Sequence, residues 1–442
     1  MAGERGATIF SNGSFLLLTV SALISLIGDQ MTLIALPWLM MTLTSDPVAV
    51  SAMMALLSLP RAVLVLFGGV LADRFDPVRL LIAMRLSSFA LLGGLAALAA
   101  SGTLQSWHLY PFAFAIGIST AVALPASATL APRLLPNAQL GSGNALLMMA
   151  AQIAMLVGPM TAGLLIAQSQ DAPTDLSSFA VIFAIDSASF LLSFALLSVI
   201  RLGAPPAGNK PAGGIFARLG DGFRYVGADR PLAFFLVYLA IMTLFVSGPM
   251  VVGIPFLVKD ELGGSAVSYG AFFFALNLGA MIAAGAAMML KPPRGSLLIP
   301  IVLLVDVVIG ALMIVFVNNL QSWTSYAILF VVGMAMAYVQ VTMMTRVQKR
   351  VDPAYLGRVM AFMMLAMLGV APLSAPVAGL IVDKLSAKTM FEIVGTIMIV
   401  LPLLFLLSRD LRRLGEDTPA EPAEPEEAVF EAAGLQTEKG SK

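Results

Sequence analysis

The chain has 442 residues, 59% hydrophobic and 11% charged, with a formal net charge of zero, no cysteine and one histidine, His108. Such an apolar excess is too large for a soluble core of this length, so lipid is the natural solvent for most of the surface. Neutrality argues against a nucleic-acid partner, and the lack of thiols and of clustered imidazoles argues against a disulfide framework, a metal site or a haem, so no metal and no cofactor is expected.

A spanning helix needs about 20 mostly apolar residues. That rule predicts spans over 15–43, 48–72, 80–101, 107–131, 144–168 and 178–201, then over 232–258, 266–290, 297–318, 323–346, 356–382 and 389–409. The fold class is all-α integral membrane, with twelve transmembrane helices in two six-helix halves, 1–201 and 232–410. The first span has no A-x-A-type cleavage site after a short core, so it reads as a retained helix. No G-x-x-x-x-G-K-[ST] occurs, so any work done draws on a gradient.

Helix 1 carries Asp29 near its midpoint, and Ser21, Ser25, Gly28 and Thr32 fall on the same face. A polar stripe centred on a carboxylate suits a water-filled cavity, where the group could take up and release a proton; a buried structural hydrogen-bond partner is the plainer alternative. Helix 2 carries Arg61, which keeps its charge and needs a carboxylate or carbonyl partner. Asp29 on the neighbouring helix is the natural candidate, either as a structural pair or within a substrate site. A tight pair would stop Asp29 from carrying protons at neutral pH. Helix 5 holds Gln152 and Gly158-Pro159-Met-Thr-Ala162-Gly163, where Gly and Pro loosen the helix and small residues admit a close neighbour, so a bend at Gly158, Pro159 and Gly163 and tight packing are expected. His108 falls in a short loop on the other side of the membrane from the termini.

The longest connection, 202–231, opens with linker composition and continues into an amphipathic stretch. Phe216, Leu219, Phe223 and Val226 recur there at helical spacing, with Arg218, Asp221 and Arg224 between them, which predicts a short interfacial helix. In the second half, Asn277 and Gln340 join Gln152 as neutral polar groups that could line a cavity, although each alone is more often interhelical glue. Met360, Met363, Met364 and Met367 stand opposite Met148, Met149 and Met155 by the repeat described below, and flexible thioethers suit varied apolar ligands as well as ordinary packing. The tail, 411–442, is rich in Glu, Pro and Ala from Gly415 onward and reads as acidic and disordered.

Lys and Arg favour the cytoplasmic side. With the N-terminus inside, the cytoplasmic segments and tails hold 21 of them, counting Arg85 among the loop residues, against three outside: Lys259, Lys384 and Lys388. This places both termini in the cytoplasm, with a bacterial plasma membrane as the expected location. The halves also resemble each other. Leu140-Gly-Ser-Gly-Asn-Ala matches Leu356-Gly-Arg-Val-Met-Ala, and the same offset of 216 pairs Ala162-Gly163-Leu164 with Ala378-Gly379-Leu380. Such internal symmetry marks proteins whose halves rock about a central site.

The segment Gly69-Val-Leu-Ala-Asp73-Arg74-Phe-Asp-Pro-Val-Arg79 resembles the G-x-L-A-D-R-x-G-R-[RK] loop of the major facilitator superfamily, departing from it at Asp76 and Pro77. The resemblance extends over nearly the whole chain through the six-plus-six topology and the long central loop. It implies that Asp73, with Gly69, Arg74 and Arg79, forms a conformational switch against the start of helix 11, where a carboxylate would meet a helix N-terminus. Gly158, Pro159 and Gly163 resemble the antiporter motif of the superfamily, with Ala162 in place of a glycine. Leu59-Pro-Arg, Leu124-Pro-Ala-Ser-Ala and Asn144 to Gln152 are similar to the twelve-span exporters of drugs, macrolides and siderophores. Many proton-driven members of that branch have an arginine in helix 4, and 107–131 has none. Helices 6 and 9 are implied to be peripheral, which gives Asp186 and Asp306 packing roles.

The expected function is secondary active transport by alternating access, exporting amphipathic organic compounds, drug-like or siderophore-like, in exchange for protons. The partners are a small-molecule substrate, the lipid bilayer and protons, and the protein is expected to be a monomer. Import or lipid flipping on the same fold, and a binding or assembly role without flux, are the alternatives. An enzyme is disfavoured, because one loop histidine supplies no catalytic set.

Overall fold

In hydrocarbon every backbone N–H and C=O must find a partner within the chain. The described residues meet that demand with helices and turns, without strands. The computed structural model describes residues 12–407 and Leu414, except 75, 129, 137–138, 169–174, 201–214, 264, 288–294 and 321–322. The start of the linker and, Leu414 apart, the tail at 411–442 therefore lie outside the described residues.

The first half comprises α1 (Gly13–Thr44), α2 (Pro47–Arg74), α3 (Pro77–Ala100), α4 (Ser106–Ala128), the short α5 (Ala131–Leu134), α6 (Leu140–Ala167) and α7 (Ser177–Val199). The linker helix is α8 (Ile215–Ala228). The seventh span joins α9 (Arg230–Gly248) to α10 (Ile254–Glu261) through a π-helical turn at Pro249–Gly253. After it come α11 (Ala266–Ala287), α12 (Leu298–Asn318) and α13 (Thr324–Arg350). The eleventh span joins α14 (Pro353–Met364) to α15 (Ala371–Lys384) through a π-helical turn at Leu365–Gly369, and α16 (Ala387–Leu406) is the last. Among the described residues eleven helices are long and apolar enough to cross a membrane. The remaining span is α4, whose 23 residues include no Asp, Glu, Lys or Arg.

The spans match the predicted ones to within a few residues. Helix 4 is shorter at its end, stopping at Ala128 rather than 131. Pro132 lies in α5, and a proline four residues on would collide with the Ala128 carbonyl and bring no N–H to it. The seventh span is interrupted for a related reason. The Ser374 hydroxyl of α15 donates to the Leu244 carbonyl and accepts from the Gly248 N–H, each at 2.5 Å, so it stands between two groups one helical turn apart. A side chain inserted in the ladder just before Pro249 marks where this helix departs from α geometry.

Within the first half α3 packs along α7, α2 along α4, and α1 along both α6 and α7; within the second, α11 packs along α13, α12 along α16 and α9 along α15. Two pairs carry most of the contact between halves, α6 with α11 and α2 with α15. Both depend on glycine. A Cβ on Gly163 would stand 2.6 Å from the Ala266 carbonyl oxygen and 3.1 Å from the Gly270 Cα, so only glycine lets these backbones meet. Gly379, the repeat partner of Gly163, lies against Ser51 and the Pro47 carbonyl with no room for a Cβ. Trp38 stacks on Tyr269 at 5.2 Å, and Lys259 Nζ donates to Ser45 Oγ at 2.8 Å. All four contacts lie towards the end of the bundle away from the N-terminus and the linker, here called the distal end.

The stretch expected to lie at the interface is helical as α8, and it is attached to the second half. Tyr225 stacks on Tyr355 at 4.4 Å, and Phe223 meets Phe362 edge-on at 4.7 Å. The Tyr225 hydroxyl accepts from the Asp352 N–H, and Asp229, which caps α9, pairs with Arg350 at 2.8 Å. His108 lies in the first turn of α4, its Nδ1 accepting from the Gln105 N–H.

The departure at Asp76-Pro77 has a structural reading. Asp76 is the N-cap of α3, accepting from the N–H groups of Val78 at 2.8 Å and Arg79 at 3.2 Å, and Pro77 opens the helix. This cap fixes the start of α3 at residue 77 and so puts Arg85 inside the span, about 12 Å along the axis. Its place among the loop cations is corrected accordingly; the excess of Lys and Arg on that side survives its removal.

Those two N–H donors, Arg79 first, hold the Asp76 carboxyl below the usual carboxylate range. Stability from such a group is present above its unfolded pKa and is lost as pH falls through the lower folded value. Asp76→Ala should therefore lower stability at pH 7 by about 0.5–2 kcal/mol, a normal N-cap loss. The gap to wild type should narrow below about pH 4, near the unfolded aspartate pKa. Thermal unfolding in detergent across pH checks this, and a gap independent of pH would contradict it.

Candidate functional site

An ionised side chain at the centre of a bilayer costs about 2.5–3.5 kcal/mol on the insertion scale, so such groups gather and face inward. In the first half four of them gather: Asp29 on α1, Arg61 on α2, Arg85 on α3 and Asp186 on α7. Asp29 feels the charges of Arg85 and Arg61, and Arg85 feels both Asp29 and Asp186. If all four are ionised the group is neutral.

The expected Asp29–Arg61 pair does not form as a direct contact. Arg61 Nε instead donates to Thr120 Oγ1 of α4 at 3.0 Å, and Asp29, half-buried, has no hydrogen-bond or ion-pair partner among the described residues. A guanidinium from helix 2 thus lies against helix 4, which has no arginine of its own. Arg85 stands 5.2 Å from the centre of the Phe190 ring, one turn beyond Asp186 on α7, and its buried Nε has no hydrogen-bond partner among the described residues.

Asp186 is fully buried. It accepts from Thr32 Oγ1 of α1 at 2.5 Å and from Ser189 Oγ at 3.2 Å. Gly28 makes this possible, because a Cβ there would collide with Asp186 Oδ1. The polar face of helix 1 consequently faces α7 rather than a cavity. Ser21 Oγ bonds Ser193 Oγ at 2.6 Å, Ser25 turns back to the Ala22 carbonyl, and both are buried with Thr32. Asp29 is the member of that set which remains half-buried.

The second half encloses a cavity of about 370 Å³ between α9, α12, α13, α14 and α16. Gln340 lines it, together with Asp306, Tyr238, Met363 and Met367. Met148 and Met149 of α6 are 70% and 55% exposed and do not line this cavity. Gln152 is half-buried on α6, and Asn277 Nδ2 donates to the Phe273 carbonyl of its own helix at 2.8 Å.

The helix 5 motif packs on two sides. Gly158 faces Ile27 and Gln30 of α1, the Pro159 carbonyl lies where a Gly270 Cβ would be, at 2.5 Å, and Gly163 faces α11. α6 runs unbroken through Pro159. In the loop resembling the superfamily motif, α2 continues as helix to Arg74, and the side chains of Asp73 and Arg74 lie outside the described residues, as does the surrounding of Gly69. Arg79 is exposed in the first turn of α3.

Sequence reasoning missed Arg85. The readable signal was Asp76-Pro77, a capping residue followed by the proline favoured at a first helical position. Gly28→Ala should push Asp186 away from α1 and lower stability by about 1–3 kcal/mol, as overpacking does. An unchanged unfolding midpoint in detergent would show that Asp186 is not held against that backbone.

The model of the Major Facilitator Superfamily matches residues 18–372. No curated protein matches the chain in sequence. Solved structures share the fold at low identity. The nucleoside transporter NupG superposes with a TM-score of 0.68 at 16% identity, covering 89% of this chain and 98% of its own. A bacterial homologue of the human lysosomal transporter Spinster, inward-facing and unoccupied, gives 0.66 at 14%, covering 94% and 100%. A D-xylose–proton symporter gives 0.67 at 14%, covering 89% and 96%. With two helical halves joined through paired glycine contacts and a match over most of its length, the chain belongs to the major facilitator superfamily, the secondary transporters that work by alternating access.

Proposed function

We propose that the protein exports amphipathic organic molecules, drug-like or siderophore-like, from the cytoplasm in exchange for protons, working as a monomer. The observation that carries this reading is Asp29, a half-buried carboxylate within a span, reached by the charges of two arginines and bonded to neither. A proton on Asp29 would leave the four-residue group with an excess positive charge, which is costly in hydrocarbon. Proton binding and release at this position can therefore favour one arrangement of the helices over another. The methionine-rich cavity supports the choice of an apolar, adaptable ligand.

By the positive-inside rule the termini lie in the cytoplasm of a bacterial cell. The distal contacts are then outside. The Asp73 loop, with Gly69, Arg74 and Arg79, would form the opposing latch on the cytoplasmic side. Uptake is the second reading, favoured by the shared fold of the D-xylose–proton symporter.

In proteoliposomes an imposed pH gradient should drive substrate flux, and Asp29→Asn should reduce the gradient-driven part by at least tenfold while leaving folding intact. Wild-type gradient-driven transport in Asp29→Asn removes Asp29 from coupling, and flux indifferent to the gradient removes the proton. Inverted and right-side-out vesicles separate export from uptake. The cysteine-free chain also permits a direct test of access. Ser51 is 2% exposed at the Gly379 contact, so Ser51→Cys should react slowly with an impermeant maleimide added outside. Adding Gly163→Leu, which wedges the other contact between halves, should speed the reaction at least severalfold. Equal rates would mean that the distal contacts do not close the outer side.

A further inference from the structure

The cavity of about 370 Å³ is lined by residues of the second half, and its volume is that of a small organic ligand. Its wall carries Phe235, Tyr238 and Met242 from α9, Asp306 from α12, Met343 from α13 and Met363 from α14. These side chains are each no more than 9% exposed. Asp306 is the acidic member of the lining, and the lining contains no Lys, Arg or His. The Tyr238 hydroxyl donates to Asp306 Oδ2 at 2.5 Å. Among the described residues no other donor and no cation reaches this carboxylate, so Oδ1 is left as an acceptor.

This setting differs from that of Asp186 in the first half, where Arg85 supplies positive charge and two hydroxyls donate. An ionised carboxylate without a cationic partner is costly in a low-dielectric interior. A ligand that brings its own positive charge removes that cost, and one with an apolar body also fills the space between the thioethers. Aromatic rings on the same wall attract alkylammonium groups through their π faces. An anion would meet the carboxylate unshielded, and a strongly polar neutral ligand would lose its hydration to a mostly apolar wall.

We infer that the second-half cavity binds an organic cation, a quaternary or protonated amine carrying an apolar group, with Asp306 as its counter-ion and Tyr238 as the residue that positions the carboxylate. The inference rests on the reading of the chain as a transporter of amphipathic organic molecules and narrows that class.

The test uses the full chain in lipid nanodiscs, with benzyltrimethylammonium and its uncharged carbon isostere neopentylbenzene as probes of nearly equal shape. The cation should bind the wild-type protein about tenfold or more tightly than the isostere, the size expected of a desolvated charge contact. Asp306→Asn should abolish that preference and leave isostere binding unchanged. Tyr238→Phe, which keeps the ring, should retain the preference with a weaker cation affinity. Equal wild-type affinity for the two probes would overturn the inference, and this comparison needs no variant. Unchanged cation affinity in a folded Asp306→Asn protein would overturn it as well. Preferential cation binding without flux of any tested compound in proteoliposomes would uphold the site and overturn the transport reading instead.

Discussion

The architecture depends on two places where backbones from opposite halves touch without side chains between them. Gly163 of α6 lies against Ala266 and Gly270 of α11, and Gly379 of α15 lies against Pro47 and Ser51 of α2. Lipid tails are as apolar as the helices, so no hydrophobic force draws the halves together, and van der Waals contact between close backbones must supply much of the attraction. Contacts of that kind fall off steeply with distance. They hold when the surfaces fit and vanish when one half tilts, which suits an interface that has to open. Concentrating them at one end of the bundle leaves the other end to a different set of contacts.

The halves share a fold and differ in the chemistry they enclose. In the first, two carboxylates and two guanidiniums compensate one another across α1, α2, α3 and α7. In the second, a carboxylate is met by a phenol hydroxyl beside a methionine-rich cavity. Compensation in the first half makes the balance sensitive to one added proton. The lack of a cation in the second is the feature on which the proposed organic-cation site rests. On the proposed reading, a proton site in one half and a ligand site in the other would give a rocking bundle two inputs, each able to bias the same motion.

Rigid and adaptable elements are placed accordingly. The α1–α7 contact is held by hydroxyl and carboxylate hydrogen bonds, with Gly28 admitting Asp186 to the α1 backbone. The seventh and eleventh spans instead each contain a π-helical turn, and Ser374 joins them where the seventh leaves α geometry. π-helical turns often occur at functional positions. α8 is attached to the eleventh span through Tyr225 and Phe223.

The sequence by itself determined the twelve spans and their likeness between halves, because both follow from local composition and from a constant offset. It also singled out Asp29, Arg61 and the helix 5 glycines, since a charge or a Gly-Pro pair within an apolar run is visible without neighbours. Only the tertiary structure decided which groups meet. Asp29 and Arg61 share a field without bonding, because Thr120 of α4 takes the guanidinium. Arg85, counted with the loop cations although the predicted span 80–101 contains it, enters the charge group from within α3. The face of Ser21, Ser25 and Thr32 turned out to contact α7. Periodicity gives the direction of a side chain relative to its own helix, and partners are set by the rotation of that helix against others, which depends on packing spread over the whole bundle.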